Sequence, residues 1–453
     1  MKTFALVTAL GAVIVPVLAA AKGKLQPIEV RGNAFWKGNE RFYVRGVAYQ
    51  PGGASDAKDP LLDIEGLKRD IANFKDLGIN TIRIYTIDNS KNHDEGMKML
   101  DDAGIYLALD ANTPKYSLNR ETKATVHASY NDVYLQSVFA TIDAFADYNN
   151  LFALFSGNEV INEKNNSHAA PYIKAVTRDM KQYISNRAAR AIPVGYSAAD
   201  VAEIIEQQAL YFDCGTDDER ADFFAFNDYS WCDFENKLQT FEGAGWDKKM
   251  ETYKNFPKPI FLSEHGCIKP NRQWGEVAAI FSNKMSSVYS GGLAYEYTVE
   301  KNGFGIVELK DGKISPNGDF NKLKEAYSKV TNPTGNGGAK TNGAASKCPP
   351  KDSNWDVTAT LLPAIPKNAV KFMTSGAGTA PGLAGAGSHF AGKASESTAS
   401  AGSGQATRTP NGVAAPANSG GAAGSGAAAG VEVPLRFVGM IGASILLGAA
   451  LIF

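Results

Sequence analysis

The stretch Leu151-Phe-Ala-Leu-Phe-Ser-Gly-Asn-Glu159 decides the reading of the fold. An apolar run with no polar alternation matches a strand buried on both faces, as in a parallel sheet. The run ends on a carboxylate. Pro259-Ile-Phe-Leu-Ser-Glu264-His-Gly repeats the pattern, with Glu264 leaving a second apolar segment. Two buried-strand patterns that each deliver a glutamate out of the core are the chain's most informative feature.

Outward from these stretches, strand-like and helix-like segments alternate. Strand patterns occupy 42–50, 81–87, 106–110, 151–159, 192–196, 222–229, 259–264 and 292–298. Helical spacing occupies 67–77, closed by Gly78, and 93–103, closed by Gly104. Further helices are expected over 131–148 and 171–189, the latter with Pro171 in its first turn. Repeated strand–helix alternation implies a parallel sheet, and eight such units fit an α/β fold of the (β/α)8 TIM-barrel type. An open doubly wound sheet is the alternative. Its Gly-rich phosphate turn is absent, because Gln50-Pro51-Gly52-Gly53 does not match GxGxxG. In a parallel barrel, residues just past the strand C-termini line the active site, so Glu159 and Glu264 would meet at one mouth despite their separation in sequence.

Two carboxyl groups at one mouth are the equipment for cleaving a glycosidic bond. In a retaining enzyme one attacks the anomeric carbon, and the other first protonates the leaving oxygen and then deprotonates the acceptor. Asn158, directly before Glu159, supplies an amide suited to a sugar 2-OH. Tyr49, Tyr85, Tyr229, Tyr295 and Tyr297 cluster at predicted strand ends and could stack on sugar rings, although core packing explains any one of them alone. Gln50 and Asp110 also end strands and could bind hydroxyls. Asn149-Asn150 reads as a turn. Either glutamate alone could be an ordinary solvated strand end; the pair carries the inference.

Composition narrows the partners. Of 453 residues 44% are hydrophobic, and 46 Lys+Arg against 47 Asp+Glu leave no basic excess for a nucleic acid. The five histidines form no HExxH or Cys/His cluster, so neither metal nor cofactor is expected. A monomer is expected.

Both ends read as processing signals. Residues 1–21 pair Lys2 with an apolar run and Ala19-Ala20-Ala21, the pattern of a secretory signal peptide. The apolar tail 437–453 follows a short spacer and small residues, the pattern of a GPI-attachment signal. Ser425 is the first candidate site, with Gly424 and Asn418 as rivals; a single C-terminal membrane helix is the alternative. The catalytic barrel is expected over 22–330 and an extension tied back by Cys348 over 331–373. A disordered Ser/Thr/Gly/Ala-rich spacer should follow over 374–425, then a GPI propeptide over 426–453. Cys214, Cys232, Cys267 and Cys348 in an oxidising compartment imply two disulfides, with three pairings open. Asn165-Asn166-Ser167 is a glycosylation sequon. The expected location is the outer face of the plasma membrane, GPI-anchored, or the cell wall.

Longer motifs then carry a resemblance. Tyr43-Val-Arg-Gly-Val-Ala-Tyr-Gln-Pro-Gly-Gly53, Gly78-Ile-Asn-Thr-Ile-Arg-Ile-Tyr85, Ser90-Lys-Asn-His-Asp94, Gly157-Asn-Glu-Val-Ile-Asn162, Phe226-Asn-Asp-Tyr-Ser-Trp-Cys232 and Leu262-Ser-Glu264 resemble the fungal GPI-anchored β-1,3-glucanosyltransferases of glycoside hydrolase family 72, the Gas/Gel/Phr group. The likeness spans roughly residues 22–373. It implies a (β/α)8 barrel that cleaves β-1,3-glucan internally and passes the new reducing end to the non-reducing end of another chain. It assigns acid/base to Glu159 and nucleophile to Glu264. It matches Tyr85, Asn158, Asp200, Tyr295 and the segment from Asn112 to Arg120 to substrate contacts, and suggests Gln50, Asp110 and Tyr229 as well. The implied pairing is Cys214 with Cys348 and Cys232 with Cys267. With only Cys348 beyond the barrel, the chain resembles the branch without a C-terminal cysteine-rich glucan-binding module. An early family disulfide is replaced by Leu67 and Gly96. His265, Phe304 and Ile205 stand where a Tyr, a Tyr and an Arg are usual, which removes hydrogen-bonding groups. Two other readings use the same residues: a retaining endo-β-1,3-glucanase with water as acceptor, and a GPI-anchored wall protein that binds glucan without turnover.

Overall fold

The computed structural model describes residues 22–54, 56–233, 238–269, 271–358 and 361–399. The signal-peptide cleavage point and the GPI candidate Ser425 lie outside them. Eight parallel strands close into a barrel: Val44–Ala48 (β1), Thr81–Ile84 (β2), Tyr106–Asp110 (β3), Leu151–Asn158 (β4), Val194–Ala199 (β5), Phe223–Asp228 (β6), Ile260–His265 (β7) and Tyr289–Ala294 (β8). Each pairs with its sequence neighbours, and β8 pairs with β1 to close the ring. All eight sequence patterns become barrel strands. The last is displaced, ending at Ala294, so Tyr295 leaves the ladder and enters the mouth. At the β8–β1 seam, Gly291 has φ +96°, and a Cβ there would lie 2.0 Å from the Val44 carbonyl oxygen; only glycine lets the two backbones approach this closely.

Helices cover the barrel. Ile64–Leu77 is capped by the Asp63 side chain, which accepts from the Gly66 N–H, and ends on left-handed Gly78. Asp94–Asp102, Asp132–Phe145 and Ala170–Arg187 follow near their expected ranges. The barrel floor was not evident from the sequence. A three-stranded antiparallel sheet, Ile28–Arg31, Ala34–Lys37 and Glu40–Phe42, packs beneath it. Its Phe35 ring meets Phe152 at 4.8 Å, Phe261 at 5.8 Å and Phe223 at 5.9 Å. Aromatic side chains from the floor sheet, β4, β6 and β7 thus fill the interior below the mouth.

Beyond the last long helix, Gly318–Ser328, the chain wraps the outside of the barrel. Cys214 bonds Cys348 and Cys232 bonds Cys267. Trp355 is fully buried against Tyr211, and Phe372 packs on Phe139. The segment expected to be a disordered spacer from Thr374 instead lies along the surface as a strap as far as the described residues run. The Gly382 N–H donates to Asn89 Oδ1 at 3.0 Å, and Lys115 Nζ donates to the Leu383 and Gly385 carbonyls. The low-complexity composition explains the difference. A Cβ on Gly385 would fall 2.0 Å from the Tyr116 hydroxyl, so small residues let the main chain lie flat and hydrogen-bond where side-chain burial is scarce. Asn165 of the sequon is exposed.

The Cys214–Cys348 bond closes a loop with a sequence separation of 134, and constraining so long a loop should contribute up to about 5 kcal/mol. The Cys214→Ser/Cys348→Ser double variant is expected to unfold at clearly lower denaturant concentration. Thiol titration of the folded wild-type domain should detect no free cysteine.

Candidate active site

Both glutamates stand at the C-terminal mouth of the barrel. Glu264, at the end of β7, is 6% exposed. Its Oε1 accepts from the Tyr85 hydroxyl at 2.8 Å and from Arg83 Nη1 at 3.4 Å, and its Oε2 accepts from the Tyr229 hydroxyl at 2.7 Å. Burial pushes the Glu264 carboxyl up to about 7; Arg83 and the two phenols pull against that rise, and the Glu159 charge adds to it.

Glu159 follows β4 and is half-buried. Its φ of +47° lies in the left-handed region, which costs a non-glycine residue on the order of 1 kcal/mol. Two bonds hold it there: its N–H donates to the Ser197 carbonyl at 2.8 Å, and Arg120 Nη1 donates to its carbonyl at 2.5 Å. The sharp turn aims the side chain into the mouth, where Asn227 Nδ2 donates to Oε1 at 2.8 Å.

Beneath the pair runs a polar layer that sequence reasoning missed. Arg83 lies mid-barrel on β2 and is fully buried. It forms a two-pronged bond to Asp110, at 2.9 and 3.1 Å, and reaches Asn158 Oδ1 at 3.0 Å as well as Glu264. Burial alone would lower the Arg83 pKa, but Asp110, Tyr85 and Glu264 together raise it, so the guanidinium stays charged. The Ser263 hydroxyl donates to Asn227 Oδ1 at 2.9 Å. The Asn227 amide is thereby oriented with its nitrogen toward Glu159. The signal for Arg83 was present in Thr81-Ile-Arg-Ile-Tyr85: an arginine inside a buried strand requires partners. Asn227 and Ser263 carried no such signal, because their roles depend on register between β6 and β7.

The sequence-predicted contacts divide. Tyr85, Tyr229 and Tyr295 meet around Glu264, with Tyr295 at ring distances of 6.4 and 6.3 Å from the other two. Asn158 Oδ1 is taken by Arg83, Ser197 and Asn227, while no bond from its Nδ2 is found among the described residues. Asn112 Oδ1 accepts from the Tyr134 hydroxyl, and its Nδ2 is buried with no partner. Asp200 binds Lys249 Nζ at 2.5 Å, which also binds Asp228 at 2.7 Å.

Other expectations require correction. Asp110 spends both oxygens on Arg83 and is 4% exposed, so it is the guanidinium's counter-ion and not a hydroxyl binder. Gln50 is 2% exposed; its Oε1 accepts from the Tyr85 and Thr86 N–H groups and its Nε2 donates to the Lys58 carbonyl. It positions Tyr85 through the backbone. Tyr49 and Tyr297 point behind the barrel, where both hydroxyls donate to Asp70. His265 turns outward to Glu276, 3.0 Å from Nδ1. Ile205 is buried in the main core. Phe304 does belong to the site, stacking edge-on with Tyr229 and Tyr295 at 5.4 and 5.5 Å. Among the described residues no cluster of His, Cys, Asp and Glu is arranged to hold a metal ion.

Comparison with known proteins agrees with this geometry. Residues 17–331 match the glycoside hydrolase family 72 model, described as glucanosyltransferase. The 1,3-beta-glucanosyltransferase gel1 of Aspergillus fumigatus is 56% identical over 390 residues, covering 85% of this chain and 85% of the relative. The 1,3-beta-glucanosyltransferase GAS5 of Saccharomyces cerevisiae is 50% identical over 361 residues, covering 78% of this chain and 73% of the relative. The crystal structure of a single-residue variant of Saccharomyces cerevisiae Gas2p, in complex with laminaritetraose and laminaripentaose, superposes with a TM-score of 0.68 at 36% identity, covering 76% of this chain and 75% of that one. With its two mouth glutamates, its closed parallel barrel and these likenesses, the chain belongs to the glucanosyltransferases of glycoside hydrolase family 72.

Proposed function

We propose that this protein is a retaining β-1,3-glucanosyltransferase that cleaves β-1,3-glucan internally and joins the new reducing end to the non-reducing end of a second chain. The observation that carries this reading is the pair of glutamates at one mouth, with Glu264 gripped by three donors. Burial alone would make Glu264 the acid of the pair. The donors decide otherwise: Tyr85, Tyr229 and Arg83 all point hydrogen at it. Arg83 can only donate, and Tyr85 and Tyr229 already turn their hydroxyl hydrogens onto the carboxylate oxygens, so the environment favours the anion. Glu264 is therefore the nucleophile. Glu159, less buried and held by one amide at its carboxylate, exchanges a proton first with the leaving oxygen and then with the acceptor hydroxyl. Asn158 Nδ2, with its oxygen fixed from below, can donate to a sugar hydroxyl beside the nucleophile. The tyrosine cluster offers faces to sugar rings.

The supporting likenesses are relatives named for this activity and a related structure bound to laminari-oligosaccharides. We further propose secretion, GPI anchoring at the outer face of the plasma membrane and action on the adjoining wall as a monomer. The signal patterns at the two ends of the sequence support that reading.

Reduced laminari-oligosaccharides incubated with the secreted protein should yield products longer than the substrate, resolved by size; shorter products alone would mean hydrolysis. Glu159→Gln and Glu264→Gln should each lower turnover by about 10³-fold or more with unchanged thermal melting, and substantial residual activity in either would remove its assigned role. The pH profile tests the nucleophile. Glu264 must be ionised to attack, so kcat/KM of the free enzyme should fall as pH drops through the raised value near 7. Tyr229→Phe removes a hydrogen bond that favours the anion, so the acid limb should move to higher pH; an unchanged limb would contradict the assignment.

A further inference from the structure

The strap does more than cover the barrel. Between it and the helices Lys123–Ser129 and Ala170–Arg187 lies a cleft of about 620 Å³ lined by His127, Tyr172, Pro363, Lys393, Glu396 and Thr398. One wall is aromatic: Tyr172 is partly exposed, its hydroxyl 3.2 Å from His127 Nδ1. The other wall is the strap, and main-chain bonds fix it. Asp132 Oδ1 accepts from the Lys393 N–H at 2.5 Å, the Asp132 N–H donates back to the Lys393 carbonyl at 3.2 Å, and Asn131 Nδ2 donates to the Ser388 carbonyl at 2.7 Å. At the edge of the cleft, Leu362–Pro363 pairs with Thr398–Ala399. The Lys393 and Glu396 side chains are exposed and make no bond to other described residues. They present a cation and an anion together.

A second observation lies a few residues back along the strap. Phe390 is 88% exposed, the most exposed large apolar side chain among the described residues. Its neighbour His389 is pinned through Nε2 to the Ser117 hydroxyl at 2.9 Å, and the Ser388 N–H donates to the Lys115 carbonyl at 2.9 Å. Lys115 and Ser117 belong to the loop whose Arg120 holds the Glu159 carbonyl. The strap therefore joins the cleft to a loop of the catalytic mouth. A flat phenol wall with a balanced charged rim suits a neutral, hydroxyl-rich chain. It lacks the excess of one charge that an ionic ligand would need.

We propose that this cleft is a second glucan-binding site. Tyr172 is the platform under a sugar ring, Lys393 and Glu396 hydrogen-bond its hydroxyls, and Phe390 extends the surface toward the Ser117 loop. The proposal rests on the glucan reading of the mouth and names where a long chain is held outside it.

The test uses the full secreted protein with short and long laminari-oligosaccharides. Phe390→Ala and Tyr172→Ala should raise KM for long chains by about three- to tenfold, leaving kcat and the KM for short chains unchanged. Phe390 is exposed, so its variant folds normally; thermal melting checks Tyr172→Ala, and Lys393→Ala/Glu396→Ala is the substitute if that variant is unstable. Equal changes for long and short chains, or none, would overturn the proposal. Binding of long laminari-oligosaccharide to the Glu159→Gln protein, measured by calorimetry, should show a second, weaker site that is lost in the Phe390→Ala/Tyr172→Ala combination; a single site throughout would also overturn it. Absence of turnover in the wild-type protein would instead count against the catalytic reading, which separates the two failures.

Discussion

A full positive charge at the centre of the barrel organises the mouth. Arg83 is fully buried, and an unpaired charge there would cost several kcal/mol. Its five donors are instead distributed upward and sideways, to Asp110, Asn158 and Glu264. Its plane also lies over the Tyr85 and Phe155 rings at 4.4 and 4.3 Å. Lysine could not replace it, because a single ammonium lacks the fork that reaches three acceptors at fixed angles. Asp110 balances the charge, Asn158 has its amide orientation set, and Glu264 is held partly ionised in a site that burial would otherwise neutralise.

The two carboxylates are treated differently by their surroundings. Glu264 is buried and receives hydrogen bonds from Tyr85, Tyr229 and Arg83. Glu159 is more open, and the force on it is mainly on its backbone, through the Ser197 carbonyl and Arg120. A nucleophile benefits from a fixed position, because misplacement of the attacking oxygen lowers the rate steeply. A group that hands a proton to one sugar oxygen and takes it from another needs access to both. The fold meets these needs by keeping Glu264 within β7 and placing Glu159 just past β4 in a left-handed conformation.

Much of this was legible in the sequence. The eight buried-strand patterns and the two terminal carboxylates follow from local hydrophobicity, which burial on both strand faces makes unambiguous. Side-chain direction at the strand ends was less legible. Tyr49 and Tyr85 look alike in sequence, yet one bonds Asp70 behind the barrel and the other Glu264 inside it. The partners that distinguish them, Asp70 for one and Glu264 for the other, come from segments distant in sequence. Gln50 and Asp110 were placed correctly at the mouth, but their bonding was not foreseen because their partners come from other segments. The floor sheet escaped notice since its strands have only three or four residues each. The strap escaped because small residues were taken as evidence against packing, whereas here they permit it.

The Cys232–Cys267 bond joins the loops after β6 and β7. One sulfur lies three residues beyond Tyr229 and the other three residues beyond Glu264, so the bond closes a small ring through the phenol–carboxylate contact. The bond touches no sugar and fills no core, yet it fixes the distance between a donor and the acceptor it serves. The bond ties the Tyr229 loop to the Glu264 loop, whereas the barrel below is closed by strand pairing and its aromatic floor.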